Sequence, residues 1–419
     1  MTPTRRTALQ SVAALAATAA LPRFAPAADA APKRLASVNS VYWKLSHAYH
    51  IAGRFLYGYT KDGLHHQPAF KIARMFNDQY VDSGPQKDLS RDLARKKGFA
   101  VADTVADALG GKAKLDVDGV LLICEHGNYK RNGLGQLLYP RYEFFEQIVE
   151  VFKAGKKTVP VFVDKHLSYD HKLARKMYDT AKAMGFPLMA GSSLPVTWRK
   201  PDWDLEIGAT VEEAVVCFYS DMDTYGFHAL EALQCVLERR KGGETGVKSV
   251  TTLKGDAVWK AWDAGKWSKE LAEAAMRRSA SRDYGVPRDH VQNPFAFLVE
   301  YRDGTRATLI NLTGYVADLT IAVKTADDPK PQAAQFVLPA PPGARFFDPL
   351  TWHIEQFFAT GKSPWAVERT LLTSTVLDFA HRSAADGGKP MTDDAMTIAY
   401  PPPNDNYFFK GSASDDCDC

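Results

Sequence analysis

The sequence predicts an α/β protein in two parts, a doubly wound parallel sheet followed by an α+β domain with an open, mostly antiparallel sheet. Three observations predict this fold class. Short apolar runs alternate with helical patterns through the first half, which is typical of parallel sheets covered by helices. From about Gly191 onward the strand patterns cluster instead of alternating. Apolar residues make up 45% of the chain and charged residues 24%, the balance of an ordinary globular protein.

The first 30 residues have the pattern of an export signal. Arg5 and Arg6 form a twin-arginine pair, and an apolar run over residues 11–21 follows. That run is too short for a membrane span, which needs roughly 20 apolar residues. Residues 28–30 offer the small-x-small pattern that a signal peptidase accepts. We therefore expect a twin-arginine signal peptide over residues 1–30 and a periplasmic mature protein; an alanine-rich tail of a cytosolic protein is the alternative.

The first half predicts a Rossmann-like domain over residues 34–190. Its central strand is the continuous apolar run over residues 119–124, which is typical of a parallel strand buried on both faces. The other predicted strands cover residues 34–38, 70–76, 158–163 and 187–190. The predicted helices between them cover residues 46–56, 88–97, 142–153 and 173–184.

The second half predicts an α+β domain over residues 191–400, with a tail over residues 401–419. Residues 302–305 (Arg-Asp-Gly-Thr) form a good hairpin turn between two strands. The predicted strands cover residues 214–218, 248–253, 295–301, 307–312 and 319–323. The predicted helices cover residues 224–240, 352–358 and 364–382.

Charge and cysteine content exclude several classes of protein. A formal net charge of +3 is too small and too evenly spread to indicate a nucleic-acid or anionic-membrane partner. Cys124, Cys217 and Cys235 lie in apolar stretches and are expected in the core, so this is not a disulfide scaffold. Cys417 and Cys419 close an acidic tail, for which a frayed terminus and metal capture are the two interpretations.

Two short segments resemble motifs of a known family. Val163-Asp164-Lys165-His166-Leu167 follows a predicted buried strand and resembles an E-K-P motif. Gly226-Phe227-His228 precedes a helix and resembles a G-x-H element. Together with the order of elements, they make the chain similar to the glucose–fructose oxidoreductase / inositol dehydrogenase (Gfo/Idh/MocA) family. The resemblance implies an oxidoreductase that acts on a sugar, cyclitol or related hydroxy compound with NAD or NADP.

The resemblance also implies catalytic residues. Lys165 matches the lysine that orients the substrate hydroxyl, and His228 matches the histidine that takes its proton. Thr224 stands where the family has an aspartate, four positions before His228. Asp223, one position out of register, is therefore the candidate for that carboxylate, unless its role has been lost.

The segment that corresponds to the family's glycine-rich turn has no glycine. Asn39, Val41 and Lys44 stand at the three glycine positions and are the candidate cofactor-binding residues. The first glycine of such a turn makes it tight, the second lets the pyrophosphate approach the backbone, and the third lets helix pack on strand. Val41 places methyl groups at the approach position. We therefore expect weak binding of NAD or NADP to cofactor-free protein, and a chain without cofactor is the alternative.

A polar segment follows the predicted strand that ends at Cys124. Loops at the carboxyl ends of parallel strands line the ligand crevice of such sheets. This segment supplies candidate residues for gripping a sugar or an acid, with a solvated surface loop as the alternative: Glu125, His126, Asn128, Tyr129 and Arg131. Metal ligation by Glu125, His126, Asp164, His166 and His228 is conceivable, but nothing in the spacing requires it, and no metal site is predicted.

Three functions remain open at this stage because a fold alone does not select one. The first is an exported oxidoreductase with a tightly held nicotinamide cofactor. The second is a lyase, hydrolase or isomerase that uses Lys165 and His228 for proton chemistry. The third is a carbohydrate-binding protein without catalysis. Each takes a small-molecule, carbohydrate-like partner, with no nucleic acid and no membrane, and the resemblance also implies a homo-oligomer.

Overall fold

The computed structural model describes residues 32–411, and from Lys33 onward this part of the chain forms one compact unit. The predicted signal peptide and the tail cysteines Cys417 and Cys419 lie outside the described residues.

The first half of the chain forms a six-stranded parallel sheet with helices on its faces. Its strands follow the order β5-β4-β1-β6-β7-β8, and β2 and β3 form a separate hairpin. The elements are β1 (Lys33–Asn39), α1 (His47–Tyr57), β2 (Tyr59–Lys61), β3 (Leu64–His66), β4 (Phe70–Asn77), α2 (Ser90–Lys97), β5 (Ala100–Ala102), α3 (Val105–Leu109), β6 (Gly119–Ile123), α4 (Arg141–Gly155), β7 (Val161–Asp164), α5 (His171–Met184) and β8 (Leu188–Gly191). The doubly wound parallel sheet predicted from the sequence is confirmed.

The order of these strands places the ligand crevice. Without the hairpin, the order reads 3-2-1-4-5-6, that of the dinucleotide-binding sheets. The chain reverses its direction of winding between β1 and β6, so loops leave these neighbouring strands toward opposite faces and open a crevice at their carboxyl ends. Val120, Leu121 and Leu122 of β6 are fully buried, because helices cover both faces of the sheet.

The second half forms a seven-stranded sheet in the order β11-β12-β13-β10-β14-β15-β9. Only β10 and β13 pair in parallel, so the predicted mostly antiparallel sheet is confirmed. The elements are β9 (Arg199–Lys200), β10 (Val211–Phe218), α6 (Thr224–Leu237), β11 (Val247–Lys254), α7 (Asp256–Asp263), α8 (Lys269–Arg278), α9 (Pro287–His290), β12 (Phe295–Tyr301), β13 (Arg306–Asn311), β14 (Leu319–Thr325), β15 (Gln332–Phe336), α10 (Phe347–Thr360) and α11 (Val367–Ala385).

The helices near the end of the chain connect the two sheets. Helix α11 contacts α6 and β11 of the second half and α5 and β8 of the first, and α10 packs against α1 and β2. Trp365, just before α11, donates its indole N–H to the carbonyl of Ala190 at 2.9 Å. These contacts hold the start of α6 opposite the carboxyl ends of the parallel strands.

The hairpin turn at residues 302–305 is confirmed, with Gly304 in the left-handed region at φ +90°. The elements that the sequence did not predict are mostly short: the hairpin β2–β3, strands β5, β9 and β15, and helices α3, α7, α8 and α9. Strands of two or three residues carry too little periodicity to detect. The boundary between the predicted domains at residue 190 stays a prediction.

Cys124, Cys217 and Cys235 are buried and unpaired, as predicted from their apolar surroundings. Among the residues that the structure describes, no helix combines the length and apolarity needed to cross a membrane.

The packing of β6 against α10 yields a testable prediction. A methyl group added to Gly119 would lie 2.7 Å from the Phe358 ring and 3.0 Å from Leu35, in a core that cannot easily give way. Gly119→Ala should therefore lower the free energy of unfolding by about 1–3 kcal/mol. Gly133→Ala is the matched control, because a methyl group there meets no atom within 4 Å. Urea unfolding of both variants measures the difference, and equal stability would contradict this packing.

Candidate active site

A cavity of about 270 Å³ lies where the carboxyl ends of β6 and β7 face the start of α6. We call it the central pocket. Both halves of the chain contribute to its wall: Leu45, His47, His50, Glu125, His126, Lys165, Ser193, Leu194, Tyr219, Thr224, Tyr225, His228, Leu319, Leu338, Pro339, Pro341, Ala344, Phe346 and Phe347. The structure thus brings together four residues that the sequence selected: Glu125, His126, Lys165 and His228.

Lys165 follows β7 directly and is held in an unusual backbone conformation. Its φ is +65°, in the left-handed region, and its N–H donates to the carbonyl of Gly191 at 3.0 Å. A non-glycine residue in this region costs of order 1 kcal/mol or more, and such residues concentrate at functional sites. The side chain is 1% exposed, and its ammonium donates to Glu125 Oε1 at 2.9 Å. Lys165 is therefore fixed at the wall of the central pocket.

Glu125 is the buried counter-ion of two cations. Besides Lys165, the guanidinium of Arg141 donates to Glu125 Oε2 at 2.5 Å. Burial alone would raise the pKa of Glu125, but Lys165 and Arg141 outweigh it and hold the pKa well below its usual range. Arg141 is also 1% exposed, so this ion cluster is closed to water on the side away from the pocket.

A second charged pair enters the pocket from the start of α1. His47 Nδ1 lies 2.7 Å from Asp164 Oδ2, and Asp164 is fully buried at the end of β7. A carboxylate on Nδ1 fixes the tautomer of the ring and leaves Nε2 as the nitrogen for proton exchange. His47 is partly exposed because it lines the pocket. His47 was not selected from the sequence, because its partner Asp164 lies 117 residues further along the chain.

Three further histidines of the pocket are neutral at neutral pH. Burial, with Arg54 as the next cause, lowers the pKa of His50 to about 3. Burial and His47 lower the pKa of His126 to about 4. Burial, followed by Lys165, holds the pKa of His228 well below its usual range. Nδ1 of His126 and Nδ1 of His228 are buried without a hydrogen-bond partner in the structure.

Asp223 does not line the central pocket, which corrects the catalytic assignment made from the sequence. Its carboxylate accepts from the backbone N–H of Leu137 at 2.7 Å and lies 3.4 Å from His381 and 3.6 Å from Arg131. Residue 223 precedes the first turn of α6, so its side chain points away from the face that carries His228. Thr224, at the family's aspartate position, lines the pocket instead.

Asn128, Tyr129 and Arg131 also lie away from the pocket. The Tyr129 hydroxyl donates to Asp78 at 2.7 Å, and the Asn128 backbone N–H donates to Gln79 at 2.8 Å. The Arg131 guanidinium donates to the carbonyl of Gly135 at 2.5 Å. The loop after β6 turns at Gly127, with φ +112°, so residues beyond it leave the crevice. The sequence predicted that these three residues contact the substrate, and the geometry does not support that prediction.

The three turn positions do not form a phosphate cradle. Asn39 is buried at the end of β1 and donates from its amide to Asn77 at 2.9 Å. Val41 is fully buried, and only Lys44 is exposed. A dinucleotide pyrophosphate needs open backbone N–H groups at this turn. The residues present do not fit that group in the position where such sheets hold it.

One group of possible metal ligands lies away from the central pocket, where no metal site was predicted. In the described part of the chain, three possible ligand atoms come within 4.8 Å only at Asp170, His171 and Asp378. The Asp378 carboxylate already accepts hydrogen bonds from His171, Gln136 and Arg382. The Arg382 guanidinium therefore lies where a metal ion would bind. This cluster is an internal ion network that ties α5 to α11.

The central pocket is thus equipped for proton transfer at a hydroxyl group. His47 and Asp164 form a base whose partner carboxylate stabilises the protonated ring. Lys165 supplies a fixed positive charge beside the space that a ligand would occupy, and His228 supplies a neutral imidazole. The remaining wall is mostly apolar or aromatic and also carries the hydroxyls of Ser193 and Thr224.

Neither a protein-family model nor a curated protein matches the amino-acid sequence. Solved structures do match the fold. GenD2 from gentamicin A biosynthesis, in complex with NAD, has a TM-score of 0.55 at 14% identity and covers 88% of this chain and 99% of its own.

Two inositol dehydrogenases give similar comparisons. Myo-inositol dehydrogenase from Lactobacillus casei, in complex with NAD(H) and myo-inositol, has a TM-score of 0.53 at 11% identity and covers 86% of this chain and 96% of its own. Myo-inositol dehydrogenase from Corynebacterium glutamicum has a TM-score of 0.50 at 12% identity, with 86% and 98% covered. This chain therefore shares its fold with these dehydrogenase structures, which is the fold that the resemblance to the Gfo/Idh/MocA family implied.

The buried neutral histidines predict acid sensitivity. Burial lowers the pKa of His50 and of His166 to about 3, whereas an unfolded histidine takes up its proton near pH 6.5. Between these values the unfolded state binds more protons, so stability falls as the pH falls from about 6.5. On going from pH 7 to pH 5, wild type should lose about 1–2 kcal/mol more stability than His50→Asn. Urea unfolding at both pH values measures this, and the exposed His65→Asn should behave as wild type.

Proposed function

We propose that the central pocket is the active site of an enzyme that acts on a hydroxyl-bearing carbon of a sugar, cyclitol or related hydroxy compound. The observation that carries the proposal is the convergence of His47–Asp164, Lys165–Glu125 and His228 on one cavity. Clusters of perturbed titratable groups that converge in a cleft mark functional sites.

The residues divide the proton chemistry between them. His47 Nε2 takes the proton of a substrate hydroxyl, and Asp164 stabilises the imidazolium that forms. The ammonium of Lys165 lies beside the oxygen that loses the proton and stabilises its negative charge. His228, held neutral by burial, hydrogen-bonds a neighbouring hydroxyl and orients the ring.

Oxidation of the same carbon is the second candidate, and the fold favours it. The structures of GenD2 and of the L. casei enzyme are complexes with NAD or NAD(H), and the latter also holds myo-inositol. A nicotinamide would supply the hydride acceptor of that reaction. Removal of the hydroxyl proton by His47 belongs to both candidates, so the site residues do not depend on the choice.

Substitution of His47 tests the proposal. We expect wild-type protein to bind and convert at least one member of a panel of hexoses, cyclitols and their keto derivatives, followed by NMR in D₂O with and without NAD. His47→Asn should lower kcat by roughly 100- to 10,000-fold, the usual contribution of a general base. Lys165→Met should lower it similarly.

The control for this experiment is His65→Asn, because His65 is exposed on the β2–β3 hairpin and does not line the pocket. It should retain wild-type turnover. Wild-type protein that neither binds nor converts any compound of the panel would contradict the enzymatic proposal. Binding without conversion would leave the carbohydrate-binding function predicted as the third alternative.

We further propose that the mature protein works in the periplasm after twin-arginine export, on the strength of Arg5, Arg6 and the apolar run that follows them. Replacing both arginines by lysine should leave the folded protein in the cytoplasm. Cell fractionation and immunoblotting measure the distribution. Normal periplasmic accumulation of the double variant would refute this route.

A further inference from the structure

The crevice between β1 and β6 is where sheets of this order hold a dinucleotide. In that arrangement the pyrophosphate meets the turn after the first strand, and an acidic residue after the neighbouring strand binds a ribose hydroxyl. In this chain the turn follows Asn39, and the acidic residue at the corresponding strand end is Asp78, directly after β4.

The backbone of the turn is already used by the protein. Ser40 donates its N–H to the carbonyl of Ile123 at 3.1 Å and accepts from the N–H of Gln79 at 3.0 Å. The carbonyl of Asn39 accepts from Asp78 in the same way at 3.0 Å. The strand-like pairing thus continues past β1 where a glycine-rich chain would turn sharply. One backbone donor of the turn, the N–H of Ser40, is thus bonded to the neighbouring strand and does not face the crevice.

The side chains of the turn fill the space that this pairing leaves. Val41 and Tyr42 are 0% and 1% exposed. The Tyr42 carbonyl accepts from the N–H of Leu89 at 2.9 Å, and Trp43 forms an antiparallel β-bridge with Asp88. The segment before α2 therefore packs over the turn. These bonds hold the bulky residues in place.

The loop after β6 closes the crevice from the other side. Tyr129 donates to Asp78 at 2.7 Å, and Asn128 exchanges two hydrogen bonds with the side chain of Gln79, at 2.8 and 3.3 Å. We call these four residues the crevice latch. A methyl group on Gly127 would lie 2.5 Å from the Tyr129 ring, so the close crossing requires glycine there. One oxygen of the carboxylate that would bind a ribose is thereby bonded to Tyr129.

The charge at the start of α1 is also already balanced. A helix N-terminus attracts an anion, and a pyrophosphate exploits this in dinucleotide-binding proteins. Here Ser46 caps the helix by accepting from Tyr49, and the Asp164 carboxylate lies against His47 in the first turn. A pyrophosphate placed there would meet a buried negative charge.

We propose that the chain's own residues have taken the place of the dinucleotide, so that this protein binds neither NAD nor NADP at the β1–β6 crevice. Resting on the proposed function, the inference narrows the reaction of the central pocket to isomerisation of a hydroxy ketone. The proton on the hydroxyl-bearing carbon leaves to a base and an enediol forms. A proton then returns to the former carbonyl carbon while the hydroxyl proton moves to the other oxygen, so no hydride acceptor is needed. The latch then has a positioning role, because it anchors the loop that carries Glu125 and His126 to the pocket.

Dinucleotide binding can be measured without any substrate. Native mass spectrometry of the purified full-length protein should show no bound nicotinamide. Calorimetric titration with NAD⁺, NADH and NADP⁺ should give no saturable binding up to roughly 1 mM, weaker than about −4 kcal/mol. A stoichiometric copurified nicotinamide, or a dissociation constant in the micromolar range, would overturn the inference.

Hydrogen exchange tests whether NAD⁺ contacts the loop that closes the crevice. The backbone N–H groups of His126 and Asn128 donate to Tyr139 and Gln79 and should exchange slowly in wild type. Addition of NAD⁺ at about 1 mM, a concentration that would detect weak binding, should leave their exchange rates unchanged. Tyr129→Phe, which removes only the bond to Asp78, should exchange faster over residues 126–129. Protection of this loop by NAD⁺ would contradict the proposal. Neither readout depends on turnover, so failure of the substrate panel would leave this result standing.

Discussion

The buried cluster of Glu125, Lys165 and Arg141 is the interaction on which the site depends. Each of the three side chains is almost fully buried, and together they link the loop after β6, the end of β7 and the start of α4. Removing one partner of a buried ion pair leaves a charge without compensation and costs several kcal/mol. The cluster therefore ties the carboxyl ends of two central strands to one geometry and sets the floor of the central pocket.

The carboxylate of Glu125 explains how the Lys165 ammonium is accommodated although the side chain is buried. Its backbone lies in the left-handed region, and its ammonium is held by Glu125 on one side while the other side faces the pocket. Asp164, one residue earlier, serves His47. Asp164 ends β7 and Lys165 follows it in the left-handed region, so two consecutive residues supply charge to two different partners.

The same loop that builds the pocket also fills the cofactor crevice. Glu125 and His126 turn into the pocket, and after Gly127 the chain crosses to Asp78 and Gln79. The fold is shared with the solved inositol dehydrogenases, but here the turn after β1 is filled by the buried Val41 and Tyr42, and the Ser40 N–H is bonded to Ile123. A fold can persist while its site is rebuilt, because the sheet is stabilised by burial of its strands and not by the ligand.

The sequence by itself determined the order of the elements, because buried parallel strands such as residues 119–123 and amphipathic helices such as α4 carry strong local periodicity. It also located Lys165 and His228, since a motif preserves their spacing from a strand end and a helix start. Only the tertiary structure paired His47 with Asp164, at a separation of 117 residues, and directed Asp223 and Tyr129 away from the pocket. Which of several polar residues in a loop faces a cavity depends on one backbone turn, here at Gly127, and on partners distant in the chain, and neither leaves a local pattern.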